Sequence, residues 1–231
     1  MTVDLAAAQP PAMAATPTQL LDVAERLFAE RGIDNVSIRE IVRASGQSNL
    51  SAAHYHFGTR EALVGALVER RIRVINTLRH ERFDRLVAQG RDDSVHAIVQ
   101  ATVEVLAQVV RQLPWGPHYV RVAAQAIFSP QVHLRTFIDP SHMSGHARCT
   151  AMLRALLPDL PARVFKERIW IVNNETTYCI GRWVQAHGTV TASNSRSFGA
   201  MVRNAVDFLA AGMAAPVGAG DVDKALELGP R

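Results

Sequence analysis

Residues 37–63 read SIREIVRASGQSNLSAAHYHFGTREAL, and the punctuation of this stretch decides the fold. Ser37-Ile38-Arg39-Glu40 is a capping box, in which the Ser hydroxyl accepts from a first-turn N–H while the Glu carboxylate reaches back to the cap. The helix it opens carries Ile41 and Val42 and stops at Ser45-Gly46, where glycine tolerates a left-handed turn. A third, short helix is expected within Ser48–Phe57, and Gly58-Thr59 opens a long one with Leu63, Leu67, Ile72, Ile75, Leu78 and Leu86 at helical spacing, running to Gln89-Gly90. Upstream, Thr16-Pro17-Thr18-Gln19 starts another helix, with Thr as cap, Pro at the first helical position and Gln at the capping-box position. Its stripe is Leu20, Leu21, Ala24, Leu27 and Phe28, and Gly32 ends it.

The rest of the chain punctuates itself in the same way. Ser94–Leu113 is apolar on one side and closes at Pro114; segments 118–128, 131–138 and 142–157 are shorter helical candidates divided by Ser129-Pro130, Pro140 and Pro158. Arg163–His187 stops at Gly188, and Ser195–Met213 carries a wide apolar stripe of the kind that faces a core or a partner. There is no hairpin dipeptide between alternating runs and no internal repeat, so the expected fold is all-α.

Composition narrows the function classes. The 231 residues are 48% apolar and 20% charged, which suits a packed chain and excludes wholesale disorder. No apolar run approaches the roughly 18 residues of a membrane span. The Ala/Pro-rich start has no Lys or Arg before Arg26, so no secretory signal is expected, and two cysteines, Cys149 and Cys179, are too few for a disulfide scaffold. The expectation is a soluble cytoplasmic protein with no membrane partner. Between Arg60 and Arg91 stand eight Arg against four acids; the excess can attract phosphate or simply solvate a helix face.

Three short helices within the first part of the chain, the last two joined at Gly46, have the organisation of a helix-turn-helix, whose second helix enters the DNA major groove. At 100° per residue, Leu50, Ala53 and Phe57 share one face and Ser48, Ser51, Ala52 and Tyr55 the opposite one, flanked by Asn49 and His56. Small polar and amide side chains approach base edges, and Tyr or His bonds phosphate.

Leu21–Ala29, Gly32, Val36–Ile41, Ala44-Ser45-Gly46, Tyr55-His56-Phe57 and Arg60-Glu61-Ala62-Leu63 together resemble the DNA-binding domain of TetR-type transcriptional regulators. The resemblance implies an N-terminal helix-turn-helix domain over residues 16–75 and a helical effector-binding and dimerisation domain over 76–213. Tails over 1–15 and 214–231 are expected to be flexible. It further implies phosphate contacts from Ser37, Arg39, Tyr55, His56 and Arg60, with His54 keeping one conditionally on its protonation, and base reading from the third helix, where Gln47, Ser48, Asn49, Ser51 and Ala52 are the candidates. This chain departs from the usual pattern in three places. Gly46 to Phe57 is eleven steps rather than ten, His54 stands where many members have Tyr, and Arg60 stands for the usual Lys. One added residue rotates a helix by about 100°, so Gln47, Ser48 and Asn49 are all candidate caps. Residues 1–59 hold four Arg and six acids, so DNA affinity would rest on the placement of charge and on a homodimer doubling the contacts.

For the C-terminal half, a mostly apolar cavity with a few polar anchors is the usual small-molecule site. Trp115, Tyr119, Phe128, Phe137, Trp170 and Tyr178 supply aromatic surface, and His118, Arg121, His133, Asn173 and Asn174 are candidate anchors for an apolar or aromatic effector. Phe165, Ile169, Val172, Thr176, Ile180 and Trp183, with Phe198, Met201, Val202, Ala205, Phe208 and Leu209, form stripes that suit a four-helix dimer interface or the protomer's own core. His142 and His146 stand four apart, but no Cys or carboxylate sits at matching spacing, so neither a metal nor any other cofactor is expected. Neither a nucleophile elbow nor a phosphate loop is present, and no catalytic residues are expected. The resulting reading is a regulator released from a palindromic double-stranded operator by a small effector, with repressor the default by resemblance. The alternative is a helical interaction protein with a degenerate head.

Overall fold

The computed structural model describes residues 17–46, 57–129 and 138–218. Within them the chain forms eight α-helices and two 3₁₀ turns, with no strand among the described residues. Helix α1 (Pro17–Arg31) buries Leu20, Leu21, Ala24, Leu27 and Phe28. It ends where the Gly32 N–H bonds Phe28 O at 2.9 Å, with Gly32 at φ 94°, a conformation that side-chain-bearing residues reach only under strain. A 3₁₀ turn at Ile33–Asn35 follows. Helix α2 (Ile38–Ala44) starts on the Ser37–Glu40 capping box, with both reciprocal bonds made, and stops at Gly46 with φ 76°.

Helix α3 (Arg60–Ala88) is capped by the Thr59 hydroxyl and runs unbroken through residues 75 and 76, the expected boundary between the two domains. Its first half buries Leu63, Val64, Leu67 and Val68, and its second half Ile72, Ile75, Phe83 and Leu86. It packs on α1 at one end and on α4 (Val95–Gln112) and α6 (Ser144–Leu156) further along. Helix α4, capped by Ser94, is central: it touches α3, α5 (Gly116–Phe128), α6, α7 (Ala162–His187) and α8 (Ser195–Ala214). Ala97, Ile98, Val99, Ala101, Val103, Val105, Leu106, Val109 and Val110 are all buried, as a helix wrapped by neighbours requires. Between its ends only the strip His96, Gln100, Glu104, Gln108 and Arg111 escapes, with Val95 half-buried and Gln112 exposed at the termini.

The expected helices over 118–128, 142–157, 163–187 and 195–213 correspond to α5–α8. That at 142–157 begins two residues later, because Pro140–Met143 forms a separate 3₁₀ turn capped by Asp139. The expected helices within 48–57 and over 131–138 fall, apart from Phe57 and Ile138, outside the described residues.

Candidate functional site

Two of the sequence-derived phosphate candidates meet around one short segment of the head. Ser37 is committed to its cap: its hydroxyl donates to Glu40 Oε2 at 2.8 Å and accepts from the Glu40 N–H at 3.2 Å. The Ser37 N–H also donates to Glu40 Oε2, at 2.9 Å, and this backbone bond first, then the hydroxyl's, holds the Glu40 carboxyl below its ordinary range. Arg60, in the first turn of α3, donates Nη1 to Asp34 O at 3.1 Å, and its Nη2 lies 3.5 Å from Asp34 Oδ1. Arg39 is exposed on α2. Gln47, Ser48, Asn49, Ser51, Ala52, His54, Tyr55 and His56 lie outside the described residues.

Inside the bundle, α5 carries Trp115 at its N-cap and Tyr119 one turn on, packed edge to face with centroids 5.8 Å apart. The Arg71 guanidinium lies 4.4 Å from the Trp115 ring centre and is paired in the interior with Glu25 of α1, Nε lying 3.1 Å from both carboxylate oxygens and Nη2 also contacting Oε2. Burial pushes the Glu25 carboxyl up against the opposing pull of Arg71. Tyr119 is pushed up to about 12, again by burial first. Near it lie Arg79 of α3 and Cys149 of α6, whose thiol touches Thr102 Oγ1 at 3.2 Å.

The remaining effector candidates divide by location. His118 and Arg121 are half-buried, and Arg121 Nε is enclosed without a hydrogen-bond partner, as is Asn174 Nδ2. Asn173 spends its amide on Ile169 O within α7, at 2.6 Å. Phe128, Trp170 and Tyr178 lie on the outside of the protomer, Phe128 and Tyr178 in an edge-to-face pair at 5.8 Å. His133 and Phe137 lie outside the described residues.

The interface candidates divide too. Phe165, Ile169, Val172, Thr176, Ile180, Trp183, Phe198, Val202, Ala205 and Leu209 are buried within the single chain, Met201 is half-buried, and Phe208 is 73% exposed. The inward stripes of α7 and α8 are thus satisfied by the protomer's own helices. The apolar surface left outside is Trp170, Ile171 and Tyr178 on α7 and Phe208 on α8. His142 sits in the 3₁₀ turn, its Nδ1 3.0 Å from Glu69 Oε1, while His146 belongs to α6. Among the described residues no three metal-ligating side chains cluster, and no helix is long and apolar enough to cross a membrane.

Head and bundle are tied by residues the sequence reading did not single out. Gln125 of α5 accepts from the Ile33 N–H at 2.9 Å, and its amide donates to Phe28 O at 3.4 Å, gripping the end of α1 and the turn that leads to α2. The buried Glu25–Arg71 pair joins α1 to α3. One signal was available: Glu25, Arg71 and Arg79 each stand within or beside the apolar spacing of their helices (Leu21–Glu25–Phe28; Ile75–Arg79–Phe83), which marks a packed stem but not where its charge ends.

Comparison with known proteins bears on this arrangement directly. Residues 20–67 match the family described as bacterial regulatory proteins, tetR family. Residues 96–212, more than half of the chain, match the tetracyclin repressor-like C-terminal domain. The HTH-type transcriptional repressor KstR2 of Rhodococcus jostii (strain RHA1) is 27% identical over 182 residues, covering 75% of this chain and 82% of the relative. The crystal structure of the transcriptional regulator FadR from Bacillus subtilis in complex with stearoyl-CoA superposes with a TM-score of 0.58 at 13% identity, over 85% of this chain and 99% of that one. The fatty acid degradation regulator FadR of Bacillus halodurans gives 0.53 at 14% identity, over 90% and 99%.

Proposed function

The chain belongs to the TetR family of bacterial transcriptional regulators, and from that premise we propose how this member works: a small molecule seated among α3–α6 moves α5 and, through Gln125, the DNA-binding head. As a family member it is a ligand-responsive, homodimeric DNA-binding regulator and not an enzyme. Nothing in the comparisons supports the alternative of an interaction protein with a degenerate head. It acts on chromosomal DNA, hence in the cytoplasm.

The carrying observation is the Gln125 grip on Phe28 O and the Ile33 N–H. Helix α5 packs along α1 and the turn after it, this side chain fixes the junction between the first two helices of the head, and the same helix presents Tyr119 to the interior. A ligand that displaces α5 changes the head's position by preferring one arrangement of this contact over the other, and the difference in its affinity for the two states sets the size of the response. In the dimer, two heads about 34–36 Å apart would meet successive major grooves. Ser37, Arg39 and Arg60 would then face phosphate, with the segment from Gln47 to His56 reading the groove. The exposed apolar residues Trp170, Ile171, Tyr178 and Phe208 supply the contact between protomers, a role the buried stripe beneath them is not free to take. Repression is the sense favoured, since the relative KstR2 is a repressor.

The test is titration of the purified protein against labelled duplex from its own upstream region at two salt concentrations. Saturable binding that weakens steeply with salt, and falls when Tyr55 and Arg60 are both replaced by Ala, is expected. Binding indistinguishable from that to random duplex, both there and in a selection from random sequences, would overturn the reading.

A further inference from the structure

Resting on the reading that the bundle holds an effector, we propose that Arg79 is its anchor and that the effector is an apolar molecule carrying an anionic group. Helix α3 has five arginines that are not exposed, and among the described residues four of them face a carboxylate: Arg60 with Asp34, Arg70 with Asp22, Arg71 with Glu25 and Arg82 with Glu104. Arg79 has none, and its Nε is enclosed without a hydrogen-bond partner. Buried charges are ordinarily paired, because an unpaired one loses its hydration without return. The titratable groups that act on its charge are Tyr119 and Cys149. Burial raises the pKa of each, Tyr119 to about 12, so both are neutral at neutral pH and neither offers a counter-charge.

The position is built rather than incidental. Arg79 takes the place of an apolar residue between Ile75 and Phe83, both almost fully buried. Helix α6 crosses its stem so closely that a Cβ at Gly145 would stand 3.0 Å from Arg79 Cβ and 2.8 Å from Asn76 Oδ1. With its stem pinned there, the guanidinium is held toward α5. The side chain still keeps part of its surface accessible, so a ligand can reach it. No described residue hydrogen-bonds the Tyr119 hydroxyl, which therefore stands ready as a second donor to the same anion. A guanidinium fork with a neutral phenol near it suits a carboxylate or a phosphate, and the buried Ile75 and Phe83 one turn to either side of Arg79 suit an apolar body.

The experiment uses the full-length dimer and three probes sharing a ten-carbon chain: decanoate, decanoyl-CoA and the uncharged 1-decanol, with binding read by calorimetry. At least one anionic probe should bind about one per protomer and at least tenfold more tightly than decanol. Preference for decanoate identifies a free carboxylate, and preference for decanoyl-CoA a phosphate-bearing ester. Arg79→Met should abolish the preference while leaving decanol binding within twofold, and Arg79→Lys should restore part of it. Retained duplex binding by Arg79→Met shows that the variant is folded. Equal binding of charged and uncharged probes, a preference that survives Arg79→Met, or no binding of any probe while duplex binding persists would overturn the anchor and leave the regulator reading standing. Arg79-dependent anion binding without duplex binding would do the reverse.

Discussion

Gln125 accepts a hydrogen bond from the Ile33 N–H at 2.9 Å across 92 positions of sequence. It joins the helix that presents Tyr119 to the turn between the first two helices of the DNA-binding head. Gln125→Ala leaves that N–H without its partner, a loss of roughly 1–2 kcal/mol. The larger effect should fall on communication: duplex affinity changes by less than tenfold, whereas the shift in duplex affinity caused by a bound effector shrinks at least as much. Anisotropy titrations with and without effector check this, and an undiminished shift would sink the proposed route.

Glu25 and Arg71 form the second tie. Arg71→Met strands a buried carboxylate, which costs about 3–5 kcal/mol. Because burial already raises the Glu25 pKa, the stranded carboxyl takes up a proton readily, and the deficit should be smaller at pH 5 than at pH 7. Glu25→Gln combined with Arg71→Met should recover a large part of the loss. Urea midpoints of the single and double variants at both pH values decide the matter.

Arg60 faces Asp34 in the free protein, so on the proposed reading a phosphate would share or replace that pairing. Asp34→Asn removes the competitor and a repelling charge together, and should raise duplex affinity several-fold. Arg60→Ala should weaken it and reduce the slope of log affinity on log salt by about 1. If Asp34→Asn weakens binding instead, the pairing orients Arg60 rather than competing for it.

Tyr119 supplies a pH dependence whose sign is fixed. Its folded pKa is pushed up to about 12 from 10.0, so between those values the unfolded chain has lost a proton that the folded chain keeps. Stability is fully present below pH 10 and falls as pH rises toward 12, by up to about 2–3 kcal/mol. Tyr119→Phe should lack this contribution, read as a shallower loss of stability above pH 10 than in the parent protein.

Most of the fold is legible in local chemistry. Ser37, Thr59 and Ser94 each cap the helix their sequence context announced, and Gly32 and Gly46 take the positive φ that ends a helix. What escaped is whatever depends on a partner distant in sequence. An arginine between Ile75 and Phe83 reads alike whether its stem carries the charge out to solvent or holds it inside. The crossing of α6 at Gly145 pins the Arg79 stem, and the enclosed Nε has no hydrogen-bond partner. Similarly, the stripe through Phe165, Ile169 and Val172 has the same periodicity whether its partner helix belongs to this chain or to a second copy. In the single chain all three are buried.

That burial leaves Phe208 as the sharpest probe of the dimer. It is 73% exposed, on a helix whose Val202, Ala205 and Leu209 are already buried, so its substitution need not disturb the protomer. A two-fold interface uses each such residue twice, and burying a Phe is worth about 1.5–3 kcal/mol. Phe208→Asp should therefore raise the dimer dissociation constant by roughly two to four orders of magnitude, before any added repulsion between the carboxylates. Sedimentation velocity should show monomer where the parent is dimeric, with helical content unchanged, and duplex affinity should fall because each head then binds its half-site alone. A Phe208→Asp protein that stays dimeric would move the interface to another face of α7 and α8.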